Sequence, residues 1–277
     1  MATATPRVRY EATDDGVAIL TLDRAEKRNA LDPATVTALR DAFTAAAADD
    51  GVRVVLLRGE GKDFCAGADI EHLESLLDAP REEILVDAEH LGALFIQMRR
   101  LPKPIIAAVQ GNALAGGAGL ATACDVILAG DDAQFGYPEI HIGFVPAIVM
   151  TMLVRHIGEK RVFGLVAGGK RVSAQEALDI GLINCVYSRH TFADDSLAYC
   201  VEMATRSSTA LAYGKQLLHD LDGLSFEAGI ARGAEVNADA RQTEACRAGL
   251  RAFLTRQRPG DEPGEATSRP ADRPPSG

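Results

Sequence analysis

The sequence contains no CxxC pair, and its five cysteines, Cys65, Cys124, Cys185, Cys200 and Cys246, fall at irregular intervals. An odd, scattered set argues against a disulfide framework or a zinc ribbon and points to reduced, mostly buried thiols. No apolar run reaches the roughly 18 residues needed to cross a bilayer. The opening stretch, MATATPRVRYEA, has no apolar h-region of the kind a secretory signal needs. The expectation is a cytoplasmic protein with no membrane partner. Positive charge is also scarce, with 29 Lys and Arg against 39 Asp and Glu for a formal charge of −10. That balance disfavours nucleic acid, whose phosphates require clustered cations. A small anionic ligand stays open, because one local basic pocket is enough for it.

The chain is 277 residues long, 47% apolar and 25% charged. These values suit one large domain with an appended segment, or two small domains. Residues 1–6 and 259–277 read as disordered ends; the tail is rich in Pro, Gly and charge, with no apolar residue larger than Ala. Val17–Leu22 has strand character. Asp32 followed by Pro33 gives an N-cap and a proline at the first helical position, opening an Ala-rich helix over 34–48. Further strands are expected at 52–57, 105–109 and 126–129. Strands separated by helices imply parallel pairing, hence an α/β fold. From about residue 192 the pattern is helical, ending in an amphipathic stretch over 243–258. No repeat of fixed short period is visible.

Two segments rich in small residues follow strands and precede helices: 63–70, DFCAGADI, and 110–120, QGNALAGGAGL. Small residues at such turns let backbone N–H groups approach a ligand, and the helix N-terminus adds partial positive charge. Two converging turns would form an oxyanion hole; each alone is equally read as a tight turn with close packing. Neither fits the phosphate-binding P-loop or the dinucleotide fingerprint. Cys65 has no neighbouring His in sequence to activate it and reads as a core thiol.

FCAGADI, then PIIAAVQGNALAGGAGLATACDV, then AQFGYPEIHIGFVP occur in an order and spacing that resemble the enoyl-CoA hydratase/isomerase (crotonase) family. The similarity runs from about Val8 to Arg258. It implies a repeated ββα superhelix over 7–191 that carries an acyl-CoA site, and a C-terminal helical oligomerisation region over 192–258. A homotrimer or a dimer of trimers is implied as well. By motif position, the backbone N–H groups of Ala68 and Gly116 would hold the thioester oxygen, and Glu139 would be the catalytic acid/base. A second glutamate found in related hydratases would stand at 119, where this chain has glycine. A single carboxylate suits either hydration of a 2-enoyl-CoA or movement of a double bond between positions 3 and 2. A non-catalytic acyl-CoA-binding homologue is the third reading.

The resemblance also places coenzyme A beside Arg24, Lys27, Arg28 and Ala30, beside Ala66, Asp69 and Ile70, and beside Phe253 and Arg256 of the last helix. Arg24, Lys27 and Arg28 are apt phosphate partners, or else members of an ordinary charged loop. Asp69 is expected to cap its helix more than to touch substrate. Glu71 and Glu74 read as a solvated helix face, and His141 as a structural histidine. Phe135, Ile140 and Phe144 would raise the Glu139 pKa by surrounding it with apolar groups. No metal and no cofactor are implied, because coenzyme A is part of the substrate.

Overall fold

A computed structural model describes residues 6–256. The expected disordered ends lie outside these residues, apart from Pro6. The elements are β1 (Val8–Ala12), β2 (Val17–Leu22), α1 (Pro33–Ala48), β3 (Val54–Gly59), α2 (Ile70–Ser75), α3 (Arg81–Arg100), β4 (Ile105–Val109), β5 (Asn112–Leu114), α4 (Gly116–Thr122), β6 (Val126–Gly130), β7 (Gln134–Gly136), α5 (Ala147–Ile157), α6 (Glu159–Gly168), β8 (Arg171–Ser173), α7 (Ala174–Asp179), β9 (Cys185–Tyr187), α8 (Phe192–Ala204), α9 (Ser208–Asp220), α10 (Phe226–Gln242) and α11 (Glu244–Arg256).

The large sheet has the order β1-β2-β3-β4-β6-β9, parallel except for β1 at its edge. Parallel strands buried on both faces need apolar residues in both phases of the strand period. The strand β2 supplies them: Ala18, Leu20 and Leu22 meet Leu39 and Phe43 of α1 on one side. On the other side Val17 and Ile19 join Leu56, Ile106 and the α8 residues Phe192, Cys200 and Ala204. The helical region beginning at 192 therefore supplies one of the layers that cover the sheet.

Several local rules act as the residue types require. Asp32 caps α1 by accepting the Thr35 N–H at 2.8 Å, with proline at the first turn. The third strand begins at Val54 instead of 52, because Val52 closes a turn on Asp49 and the Arg53 and Val54 N–H groups both bond Gly16 O.

A smaller sheet, ordered β5-β7-β8, stands beside the large one. An isolated parallel bridge between Cys65 and Ala113 adds the 64–66 segment to its β5 side. Three successive passes therefore share one plan. A long strand in the large sheet (β3, β4, β6) leads to a short one in the small sheet (64–66, β5, β7) and then towards a helix (α2, α4, α5). The strand order agrees in both sheets, and this is the ββα superhelix expected above, repeated in space without a sequence repeat.

The helices after α8 are tied back by a buried cation. Lys215 of α9 donates to Met98 O at 3.0 Å, Lys103 O at 3.2 Å and Asp125 Oδ2 at 2.7 Å. Asp125 also accepts the Ile105 N–H at 2.7 Å, so α9 and the start of β4 meet at one carboxylate while α3 is held through the same ammonium. Removing one partner of a buried pair leaves the other uncompensated. Lys215→Ala is expected to cost about 3 kcal/mol, read as a lower urea midpoint at unchanged slope.

Candidate active site

The geometry of the site follows from one row of backbone pairing. Cys65 is paired with Ala113, and Ala113 with Phe135, all running parallel. The bonds are Cys65 N–H to Asn112 O at 3.1 Å, Leu114 N–H to Cys65 O at 3.0 Å and Ala115 N–H to Gly136 O at 2.8 Å. Following each segment a few residues onward from this row reaches Ala68, Gly116 and Glu139. The three sequence-expected catalytic positions therefore lie beyond the carboxyl ends of neighbouring parallel strands, where open α/β sheets bind ligands.

The two backbone donors are close together. A Cβ built on Gly116 would lie 3.9 Å from Ala68 N. Gly116 is the first residue of α4, so its N–H has no intrahelical acceptor. The Ala68 N–H is left free because its flanking groups make the bridge instead: Leu31 N–H bonds Gly67 O at 2.7 Å and Asp69 N–H bonds Leu31 O at 2.8 Å. Among the described residues, neither N–H has an acceptor.

This close approach is enforced by small residues. Gly67 has φ +99°, and a Cβ there would stand 2.8 Å from Ala115 Cβ and 2.9 Å from Leu114 O. A Cβ on Gly117 would meet Cys65 O at 2.3 Å. Ala115, immediately before the Gly116 donor, holds φ 51° and ψ −126°, a conformation costly for a residue with a side chain. Buried Asp63 braces the same turn by accepting the Asn112 N–H at 2.9 Å and its Nδ2 at 2.6 Å.

Glu139 lies in a 3₁₀ turn, Pro138–Ile142, and is 8% exposed. Burial pushes its carboxyl up from the ordinary glutamate range, partly offset by a hydrogen bond from its own backbone N–H. Its Oε2 is buried with no hydrogen-bond partner. Phe135 is fully buried, whereas Ile140 and Phe144 are exposed in the single chain. Tyr137, two residues before, is buried with its hydroxyl 3.4 Å from Thr122 Oγ1, and its phenol is pushed up by burial and by the Glu139 charge. His141 Nε2 is 3.1 Å from Gly169 O, a contact that closes the turn against the end of α6. Burial pushes the Cys65 thiol up to about 12, the direction of an unreactive core thiol.

The expected coenzyme A residues separate into two groups. Arg24 is buried; it donates to Asp69 Oδ2 at 2.8 Å and Ala30 O at 2.5 Å and lies 3.3 Å from Asp32. Its charge is paired inside the protein with Asp69 and Asp32. Asp69 holds the guanidinium, and Ala30 is buried with its carbonyl accepting from it. Burial alone would raise the Asp69 carboxyl, but hydrogen bonds from Arg24 and the Glu71 N–H, with the Arg24 charge, hold it below the usual carboxylate range. Asp69 also caps α2 through that Glu71 N–H.

On the outer side, Lys27 pairs with Glu71, and Arg28 is exposed with no acidic partner among the described residues. Ile70 is exposed, and Ala66 is half-buried with its N–H on Arg28 O. Phe253 is exposed on α11, which packs on α10; Arg256 closes that helix, and its side chain lies outside the described ones.

Position 119 is also decided here. A Cβ on Gly119 would meet Val149 Cγ2 at 2.4 Å, so α5 fills the space where a side chain would project. Nothing in the sequence signalled this contact with Val149, nor the bracing by Asp63 and Tyr137. A groove of about 790 Å³ lies between α5 and α6, lined by Met150, Val154, Val162 and Phe163 among others.

Two open backbone donors and a buried carboxylate at the ends of parallel strands make a site of the class that stabilises an anion while moving a proton. The family model described as Enoyl-CoA hydratase/isomerase matches residues 12–261, and the chain belongs to that enzyme family. A Thermus thermophilus protein with a provisional enoyl-CoA hydratase name is 40% identical over 243 residues, covering 88% of this chain and 96% of that protein. The 2,3-dehydroadipyl-CoA hydratase of Escherichia coli is 33% identical over 244 residues, covering 88% and 94%. The solved enoyl-CoA hydratase of Mycobacterium smegmatis superimposes with a TM-score of 0.87 at 31% identity, covering 91% of this chain and 97% of that one. The family acts on acyl-CoA thioesters. Among the described residues no helix is long and apolar enough to cross a membrane.

Gly67→Ala is expected to cost about 2 kcal/mol or more, from the unfavourable φ and the contact with Ala115. Urea unfolding measures it; a neutral result would mean that the turn relaxes and that its spacing is not fixed.

Proposed function

We propose that this protein hydrates 2-enoyl-CoA thioesters, with Glu139 as its single acid/base and the Ala68 and Gly116 N–H groups as the oxyanion hole. The observation that carries the reading is the common register that puts a buried carboxylate with an unpartnered oxygen beyond the same row as two open donors. Hydratase names among the relatives support it. No cofactor is needed, since water and the thioester supply every atom.

In this mechanism the Glu139 carboxylate takes a proton from water as the water oxygen bonds C3. The π electrons shift through C2 to the thioester oxygen, whose negative charge the two N–H groups receive. The enolate then collapses, and the Glu139 carboxylic acid returns its proton to C2. Preorganised donors of this kind are each worth about 3 kcal/mol in the transition state. Lys27 and Arg28 are proposed to meet the coenzyme A phosphates, with Ala66 and Ile70 alongside. The exposed apolar residues Phe226, Ile230, Leu250 and Phe253 are proposed to pack in a trimer, bringing Phe253 and Arg256 to a neighbouring site.

A single carboxylate also suits a Δ3,Δ2-isomerase, where it shuttles a proton between C4 and C2, so the test uses both substrates. Wild type is expected to hydrate crotonyl-CoA, and Glu139→Gln to lose about 10²-fold or more in kcat. Isomerisation of a 3-enoyl-CoA without hydration would replace the reading with the isomerase. Binding of both esters without turnover would replace it with a non-catalytic homologue.

The raised carboxyl of Glu139 carries a sign for pH. Its base form works only above its folded-state pKa, so kcat/KM should fall on the acid side at a pH above that of an ordinary glutamate, about 4.3. A carboxyl whose pKa rises on folding stabilises the protein below the unfolded value, and that stability is lost as pH rises through the folded value. Glu139→Gln is therefore expected to melt higher than wild type at pH 7 and to lose that advantage near pH 4, read by calorimetry at both pH values.

A further inference from the structure

Gly116 and Gly119 lie three residues apart on α4, so their Cβ directions share one face, about 5–6 Å apart. The Gly116 direction runs into the gap beside Ala68 N. A side chain at 119 would accordingly stand one helical turn from the two backbone donors. On that face of α4 it is the next position after Gly116. That place is not empty space. Val149 of α5 is 4% exposed, and its Cγ2 would be 2.4 Å, its Cγ1 3.3 Å and its Cβ 3.4 Å from a Cβ at 119. Contact below 3.0 Å cannot be tolerated without movement. Movement here is expensive, since Val149 is β-branched with a stiff χ1, and its helix neighbours Leu153 and Ile157 are buried with it.

We infer that Val149 is a specificity-determining residue: its isopropyl group holds position 119 to glycine and so keeps the site to one carboxylate. Only the two methyl groups of Val149 carry the obstruction, because the remaining Cβ distance of 3.4 Å is ordinary contact. The site is thereby limited to reactions in which one group both removes and returns the proton. This deepens the hydratase reading and rests on it for the catalytic consequence, but the steric part stands apart from activity.

The test is a double-mutant cycle on the full chain, comparing Gly119→Ala, Val149→Ala and the pair. Gly119→Ala alone is expected to lower Tm by about 4–10 °C through overpacking. In the Val149→Ala background the same change should cost little, giving clear non-additivity. Additive losses, or a harmless Gly119→Ala, would overturn the steric assignment. Gly119→Glu is then introduced in the Val149→Ala background. The pKa of the added carboxyl, followed by carbon NMR, is expected to shift when butyryl-CoA binds. The pH profile of crotonyl-CoA hydration should gain a further ionisation absent from Val149→Ala alone. A carboxyl that titrates without sensing the thioester would show that position 119 does not face the substrate and would overturn the specificity role. If wild type fails to hydrate any 2-enoyl-CoA, the functional reading falls, while the melting cycle and the NMR shift still judge Val149.

Discussion

The arrangement of the candidate site depends on a row of main-chain hydrogen bonds that joins Cys65, Ala113 and Phe135 side by side in parallel. Each segment then turns away after a few residues, and what it presents at the turn is fixed by how far it has run. Shifting one segment by a single residue would exchange inward for outward groups along it. The spacing between the Ala68 and Gly116 donors and the carboxylate of Glu139 is thus a property of the backbone ladder more than of any side chain. The large sheet supports this row by setting the same strand order behind it, with apolar layers pressing on both of its faces.

The ladder brings the segments nearer than ordinary residues permit. A Cβ at Gly117 would sit on the Cys65 carbonyl, and Ala115 is held at a positive φ just where the donor begins. Strain of about 1–3 kcal/mol at such a residue persists only where the surroundings over-determine it. Here the surroundings are the Ala115 bond to Gly136, the Asp63 brace on Asn112 and the Arg24 tie between Asp69 and Asp32. The Arg24 cluster is a positioning device: it clamps the loop after β2 against the 66–69 turn while its charge stays out of solvent.

Much of this was legible in the amino-acid order because it is local. The Asp32-Pro33 cap, the apolar runs at Val17–Leu22 and Ile105–Val109, and the small residues before α2 and α4 each announce their own conformation. Glu139 drew attention through its motif, but its burial was not legible, since a proline-glutamate pair alone says nothing of it. The strands β5 and β7 escaped notice because three residues carry no periodicity. The burial of Arg24 was not legible because its partner, Asp69, is distant in the chain and only the fold brings the two together. The same holds for Gly119 and Val149, where the glycine was visible and the reason for it stood on another helix.

The buried ammonium of Lys215 has a consequence for how the helical end of the chain sits on the sheet. An apolar helix face can slide or rotate over its support at modest cost, since dispersion is indifferent to small changes of angle. Three oxygens from Met98, Lys103 and Asp125 converge on one nitrogen, and they accept it at one place only. The join acts like a key in a lock: it sets the rotation of α9 about its own axis, and with it the direction in which α10 and α11 leave the body. The charge thus does for α9 what apolar packing alone does not: it selects one rotational setting on the sheet.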